Sequence, residues 1–362
     1  MKTRHTHLIF LCLLAVALAV PMEAVGGGKH LDKALQKVKT LKYGDSRKPV
    51  YTVREAVEAS TGSPDRRAEM QQRLLDLLTN PDSTYLCVKL VCHNWLPLVG
   101  SQKAVPVLRN MLPNEERAAL AVEALAEIAG DTSTAALREA ARQTTAEAQL
   151  IAVKELGERR DTKAMDLLAK LAGSDDEELR ETARHAVAQV GTERSFELLM
   201  DARDVSAGAL ETLARRCLER RAPEQASKIA DRLMDGDRPV DERRMGLSVM
   251  ARMSSERAVP VLLEAIRNGE RSIAGHALRL CLARHADAAR SGLSGTLSKV
   301  SARRKALVLA FIGRMGDTHW ADIVAKYVGA DAAAVRTAAI EALGRIGGPS
   351  HVDSLLQAAA SG

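Results

Sequence analysis

Aromatic side chains are scarce in this sequence: Phe, Trp and Tyr together make up 2% of its 362 residues. Sheet proteins of this size depend on β-branched and aromatic residues for their cores. Base stacking on single-stranded nucleic acid also needs aromatic rings, so nucleic acid is not an expected partner. The hydrophobic share is nevertheless 46%. It consists largely of Ala and Leu, which favour helices, and therefore predicts an all-α protein.

Catalytic and metal-binding motifs are also missing. There is no H-E-x-x-H zinc motif, no G-x-S-x-G nucleophile elbow and no phosphate-binding G-x-x-x-x-G-K-[ST]. The histidines after residue 25 are widely spaced: His30, His93, His185, His276, His285, His319 and His351. The sequence thus predicts a protein that is not an enzyme, with no catalytic residue, metal or cofactor.

Long hydrophobic runs are absent, except for the 13 uncharged residues from Leu8 to Val20. A membrane-spanning helix needs about 20 residues. With Lys2 and Arg4 before it and small residues after it, the run is typical of a secretory signal. We expect a signal peptide over residues 1–25, a periplasmic or secreted protein, and no stable membrane span after cleavage. The alternative is an uncleaved membrane anchor.

One pattern of about 31 residues recurs along the chain. An apolar helix ends in a small residue, and a short turn and a second helix follow, as in residues 307–316 and 338–347. Nine end residues can be followed, at steps of 28 to 34: Gly100, Ala129, Gly157, Gly191, Ala222, Ser254, Ala286, Gly316 and Gly347. One such hairpin cannot bury its apolar face alone, so stacked copies must share a core.

The A-x-x-A-L-G-x-I-G core, best kept at Ala338 to Gly347, resembles the short HEAT-like repeats of the phycobilisome-lyase type. That resemblance implies an all-α, right-handed α-solenoid of about nine HEAT-like hairpins over residues 81–362. The repeat occurs with many unrelated functions. Deoxyhypusine hydroxylase, a HEAT-like enzyme, holds iron with His-Glu pairs, and this sequence has no His-Glu dipeptide.

Residues 26–80 are predicted to be helical but lie outside the repeat register. We expect them to form an N-terminal cap that shields the apolar side of the first repeat. The turn from Tyr43 to Arg47 separates two predicted helices, and the segment resembles the leader of exported bacterial HEAT-repeat proteins with a Tyr-Gly-x-Ser-Arg turn. Two interpretations of this turn are open, a tight connection and a site.

Charge is distributed unevenly. Residues 20–205 contain 26 basic and 29 acidic residues, whereas residues 206–362 contain 24 basic and 17 acidic ones. Arginine stands two positions before each of the last five end residues, at Arg220, Arg252, Arg284, Arg314 and Arg345. Equivalent positions in stacked repeats should form a row about 10 Å apart. The row predicts a site for an acidic protein or an anionic polysaccharide; alternatively, each arginine only stabilises the helix dipole, by about 0.3–1 kcal/mol.

A second set of basic residues stands 11 positions before an end residue: Lys89, Arg180, Arg243, Lys305 and Arg336. In HEAT-like repeats such residues tie neighbouring turns together, so we interpret them as structural. Together these features predict a non-catalytic, protein-binding scaffold of the cell envelope or exterior. The alternative is an exported enzyme of the lyase type, or an accessory subunit of one.

Cysteine is rare after residue 25, where only Cys87, Cys92, Cys217 and Cys281 remain, without C-x-x-C spacing. Cys217 and Cys281 stand two repeats apart, roughly 20 Å when neighbouring helices pack at ~8–10 Å. Cys87 and Cys92 are five apart on one predicted helix. A disulfide needs Cα atoms within ~7 Å, so we expect four buried thiols without disulfides and no metal site.

Overall fold

The computed structural model describes residues 28–144 and 146–360, and all regular structure within them is helical. The predicted all-α class and α-solenoid are confirmed, while the handedness of the superhelix stays a prediction. The predicted signal peptide, residues 1–25, lies outside the described residues. None of the helices in the described ranges is long and apolar enough to cross a membrane.

The chain forms two compact units that divide between Ala186 and Val187. The first contains the helices α1 (Gly28–Lys39), α2 (Lys48–Ser60), α3 (Pro64–Thr79), α4 (Tyr85–Leu90), α5 (Leu96–Val99), α6 (Val105–Met111), α7 (Glu115–Glu127), α8 (Asp131–Gln143), α9 (Ala146–Glu158), α10 (Met165–Leu171) and most of α11 (Glu177–Val190). A π-helical turn, Val91–Trp95, joins α4 to α5.

The second unit contains the helices α12 (Glu193–Asp201), α13 (Ala207–Glu219), α14 (Pro223–Leu233), α15 (Val240–Met250), α16 (Ser255–Asn268), α17 (Arg271–Arg284), α18 (Ala286–Lys299), α19 (Ala302–Met315), α20 (Ala321–Ala325), α21 (Ala333–Ile346) and α22 (Val352–Ala360). Short 3₁₀ turns, such as Thr318–Trp320, precede several of the second helices of a hairpin.

Helices pack on the next helix and on the next but one. In the first unit α7 contacts both α8 and α9; in the second, α13, α15, α17, α19 and α21 form one continuous row, with α16 and α18 packed beside it. The core of the second unit is a band of buried Leu, Ile, Val and Ala that runs from Leu247 to Ala358. This is the arrangement in which hairpins complete each other's cores.

Small residues set the distance between neighbouring helices of a row. A Cβ atom added to Gly157 on α9 would stand 2.6 Å from Cα of Ala186, and one added to Gly313 on α19 would stand 2.6 Å from Cα of Ala342 on α21. Both glycines therefore lie where backbones approach closely, and side chains there would force the helices apart.

The structure corrects the assignment of several end residues. Gly157 lies inside α9, which ends at Glu158, and the left-handed residue in the turn that follows is Arg160, with φ 54°. Arg160 stands 31 residues after Ala129 and 31 before Gly191, so the repeat is more regular than the glycine suggested. The sequence pattern failed here because it favours glycine at left-handed positions, whereas this glycine serves packing.

Three other end residues belong to the following turn or helix. Ala222 and Ser254 directly precede α14 and α16, and Ala286 is the first residue of α18. The left-handed residue after α13 is Arg221, with φ 59°. The prediction that a small residue ends each first helix is therefore wrong at these positions; Gly316, with φ 72°, is a position where it is confirmed.

The predicted cap helices cover the start of the array. Helix α1 packs on α2, α2 and α3 pack on α5, and α3 packs on α6. Buried leucines of α3, such as Leu74 and Leu78, supply the apolar contact. The turn between α1 and α2 depends on Gly44, with φ 98°, and on a hydrogen bond from the Lys42 amide to Asp45 Oδ2 of 2.8 Å.

Several basic residues tie turns together, as predicted for the second basic set. Arg180 and Arg336 donate from Nη1 to the carbonyl oxygens of Ser174 and Ala330, both at 2.8 Å, in the loop before their helices. Arg243 pairs with Glu270, and the Lys305 ammonium lies 5.2 Å from the centroid of the Tyr327 ring.

The predicted buried thiols are all buried, and none is bonded to another. Burial raises the pKa of Cys87, Cys217 and Cys281 to about 11 and that of Cys92 to about 12. At neutral pH these thiols are therefore protonated and unreactive. Trp95 and Trp320, each 1% exposed, pack in the interior.

Gly313 and Gly344 offer a matched test of the close helix contact, since each stands three residues before a helix-ending glycine. Gly313→Ala should lower the free energy of unfolding by about 1–3 kcal/mol through overpacking. Gly344→Ala, whose new Cβ meets nothing within 4 Å, should raise it by about 0.5–1 kcal/mol because glycine weakens helices. Urea unfolding followed by circular dichroism measures both. Equal shifts in the urea midpoint would contradict the packing role of Gly313.

Candidate functional site

The segment 271–316 is the most strongly basic part of the second unit. It contains nine Arg or Lys residues, and its one acidic residue is Asp287. The segment forms α17, α18 and α19. Because like charges repel in a folded chain, this accumulation works against stability unless something outside the segment neutralises it.

Two clefts follow the contacts of α19 with its neighbours in the row, and together we name them the basic groove. One, of about 700 Å³, is lined by Arg271, Ser301, Arg303, Arg304, Ala306, Leu307, Ala310, Ala334 and Ala338. The other, of about 80 Å³, is lined by Arg271, Ala274, Gly275, Leu278, Arg304, Leu307, Val308, Phe311 and Arg314. Small residues form most of the floor, since alanine and glycine leave space that larger side chains would fill.

Three of the lining arginines stand in the first turns of their helices. Arg271 begins α17, and Arg303 and Arg304 follow Ser301 and Ala302 at the start of α19. Neither first turn contains an acidic residue. A cation at a helix N-terminus opposes the helix dipole, which favours anions there by about 0.3–1 kcal/mol. Helix stability therefore does not explain these three arginines.

Arg304 is the innermost of the three. Its backbone amide donates to Ser301 Oγ at 3.3 Å, the capping contact of α19. Its Nη1 atom is buried and has no hydrogen-bond partner among the described residues. An unsatisfied buried donor costs about 1–3 kcal/mol, and more when charged.

The other arginines of the groove are also available. Arg271 and Arg303 are exposed, and neither makes an ion pair with a carboxylate in the described part of the chain. Arg314, near the other end of α19, lies over the Phe311 ring with its guanidinium carbon 5.7 Å from the centroid. The groove thus combines arginines at both ends of α19 with an apolar floor between them.

Of the five arginines that the sequence singled out, Arg314 lines the groove. Arg284 is the last residue of α17, and Arg345 stands in the last turn of α21, both exposed. All three stand in the last turn of their helices, where a cation interacts favourably with the helix dipole.

Arg220 and Arg252 lie past the ends of their helices and make other contacts. Arg220 Nη1 donates to the carbonyl oxygen of Gly191 at 2.6 Å, and its Nη2 lies 3.5 Å from Glu193 Oε2. Arg252 Nη2 lies 3.6 Å from Glu211 Oε1. They take part in contacts between repeats, so the expected row of five equivalent arginines does not extend to them.

The sequence reasoning missed Arg271, Arg303 and Arg304. The small residues that mark the repeat stand at or near the helix ends, whereas these three arginines stand at helix starts. A signal was present: α17 and α19 have arginine in the first turn, where α7 and α11 have paired glutamates. Basic residues at helix starts break the usual charge preference, and such breaks often accompany function.

Catalytic geometry is not evident in the described residues. They contain no group of three or more His, Cys, Asp or Glu that could hold a metal ion. Two serines contact histidines, Ser248 to His276 Nε2 and Ser255 to His285 Nδ1, both at 2.9 Å. The other ring nitrogen of His285 contacts the backbone oxygen of Ala251 at 3.1 Å. It lacks the carboxylate that orients the histidine of a hydrolytic triad.

The sequence model for HEAT repeats matches residues 135–219 and 293–362, so the chain contains HEAT repeats in both units. A comparison with curated proteins gives no match. Among solved structures, human deoxyhypusine hydroxylase in complex with glycerol is 20% identical, with 71% of this chain and 90% of that chain covered and a TM-score of 0.27. The crystal structure of an engineered protein is 15% identical, with 87% of this chain and 96% of that chain covered and a TM-score of 0.15. Similarities of this size do not extend to function.

Single substitutions should distinguish the arginines that stabilise the fold from those that are free to bind a ligand, by their effect on the free energy of unfolding. Arg220→Gln removes a charged donor from the Gly191 carbonyl and should lower the free energy of unfolding by about 1.5–3 kcal/mol. Arg314→Gln removes a favourable dipole contact and the contact with the Phe311 ring, and should lower it by about 0.8–2 kcal/mol. Urea unfolding of both variants gives the comparison. A larger loss for Arg314→Gln would show that Arg314 holds the fold together.

Proposed function

We propose that this HEAT-repeat protein is a non-catalytic scaffold whose basic groove binds an acidic segment of a partner protein. One observation supports the proposal most strongly. Arg271, Arg303 and Arg304 stand at helix starts, where they oppose the dipole, and make no ion pair with a described carboxylate. Their cost to stability is offset when a partner supplies the negative charge.

The form of the groove favours a peptide segment over a single small anion. Arginines stand at both ends of α19, and between them the lining is apolar and includes Leu307 and Ala310. Acidic side chains of a partner can contact the guanidinium groups in bidentate fashion, while its apolar side chains cover the floor. Residues that combine apolar burial with arginine contacts are typical of the centre of protein interfaces.

The cell envelope or exterior is the proposed location, since residues 1–25 have the pattern of a secretory signal. An acidic protein in that compartment is the proposed partner. The alternative function, an exported enzyme or its accessory subunit, differs in one outcome: an accessory subunit would be captured together with one catalytic partner. An anionic polysaccharide is the alternative ligand, and the scarcity of aromatic rings that could stack on sugars argues against it.

Charge reversal in the groove tests the proposal. Arg271→Glu combined with Arg303→Glu should weaken capture of an acidic partner from the native envelope fraction by about tenfold or more, equal to about 1.4 kcal/mol. The matched control is Arg279→Glu combined with Lys299→Glu, which changes two exposed positions of the same segment outside the lining residues. It should leave capture within about twofold, because distant exposed charges are screened by salt.

Affinity capture with quantitative mass spectrometry at two salt concentrations measures both variants. Equal loss in the two variants would show that only net charge matters and would contradict the groove. A protein partner would be contradicted by a different result. In that result the captured ligand is a polysaccharide that survives protease treatment, and the groove variant captures the same proteins as the unchanged protein.

A further inference from the structure

A second cleft lies in the first unit, between α1 and α2 of the N-terminal cap. Its volume is about 740 Å³, within the usual range of about 300–1,000 Å³ for small-molecule sites. The lining consists of His30, Lys33, Ala34, Lys37, Thr40, Leu41, Asp45, Ser46, Lys48, Pro49, Tyr51 and Thr52. The cleft therefore includes the turn that the sequence left unexplained.

The lysines of the cleft have no carboxylate partners in the described structure. Residues 29–54 contain eight Arg or Lys and two Asp, and both carboxylates are engaged. Asp32 pairs with Arg73 Nη1 at 2.7 Å, and Asp45 Oδ2 accepts a hydrogen bond from the Lys42 amide at 2.8 Å. Lys33, Lys37 and Lys48 thus make no ion pair with a described carboxylate, and Asp45 is the one acidic residue among the lining residues.

The three lysines approach the cleft from two helices. Lys33 and Lys37 stand one turn apart on α1, so they share one face of that helix. Lys48 is the first residue of α2, whose first turn has no acidic side chain and whose N-cap residue, Arg47, makes no capping hydrogen bond. The Lys48 amide donates to Ser46 Oγ at 3.4 Å, and Pro49 has no N–H. The lysine side chains and the hydroxyl groups of Thr40 and Ser46 therefore supply the polar lining.

We propose that this cleft binds a small molecule that bears a diphosphate or a longer phosphate chain. Lysine ammonium groups bind phosphate as point charges and need no planar partner. Three lysines can neutralise the charge of a diphosphate. The half-exposed ring of Tyr51, with the Arg54 guanidinium carbon 5.4 Å from its centroid, offers a surface at the rim for an organic group. Asp45 also faces the cleft, so a ligand must direct its phosphates towards the lysines.

This site is independent of the basic groove and its proposed partner. Isothermal titration calorimetry of the full chain with inorganic pyrophosphate, in magnesium-free buffer at low salt, tests it. We expect one pyrophosphate per chain, and binding about tenfold or more weaker in Lys33→Gln combined with Lys37→Gln. The control is Lys29→Gln combined with Lys42→Gln, which removes the same charge from exposed positions outside the lining and should change the affinity by less than about twofold.

Three outcomes would overturn the proposal. The first is the absence of binding heat at millimolar pyrophosphate. The second is an equal loss of pyrophosphate affinity in the two double variants, which would indicate diffuse attraction to a basic surface. The third is tighter binding of citrate than of pyrophosphate, because it would identify carboxylates as the ligand class. Circular dichroism of each variant verifies that the helices are retained.

Discussion

Close contact between small residues of neighbouring helices is the constraint on which the rest of this structure depends. At Gly157 and Ala186, and again at Gly313 and Ala342, no room is left for a side chain between the backbones. Helices held this closely share a continuous core, which no single hairpin could form. The abundance of alanine and the scarcity of aromatic rings both follow, because large rings would separate the layers.

The same close stacking brings the end of one repeat within reach of long side chains of the next. Arg159 Nη2 donates to the carbonyl oxygen of Ala126 at 2.7 Å, and Arg232 Nη1 donates to that of Leu199 at 2.8 Å. Helix ends leave carbonyl groups unsatisfied, so these arginines stabilise the stack. Basic residues in this fold are thus of two kinds, those that satisfy carbonyl groups or carboxylates and those, like Arg303, without such a contact in the described residues.

Much of the fold could be predicted from the sequence, because apolar spacing and small residues directly determine helix faces and helix ends. The hairpin pattern and the structural role of Arg180 and Arg336 follow from it. The left-handed conformation of Arg160, after the end of α9, could not be predicted, since a left-handed arginine leaves no compositional trace. The sequence located Arg314, which stands beside a helix end, and missed Arg271 and Arg303, whose significance lies in the absence of nearby acids. The basic helix starts were a partial signal of it, and the contacts add that no carboxylate elsewhere in the described residues pairs with these two arginines.

The central claim is that the arginines at the starts of α17 and α19 serve binding at the expense of stability. The most direct test is the urea unfolding of Arg271→Gln combined with Arg303→Gln, without any partner. Because two unfavourable dipole contacts of about 0.3–1 kcal/mol each are removed, the midpoint should stay the same or rise, and more so at low salt. A fall in the midpoint, comparable to that of a substitution at Arg220, would show that these arginines hold the fold together and would contradict the account.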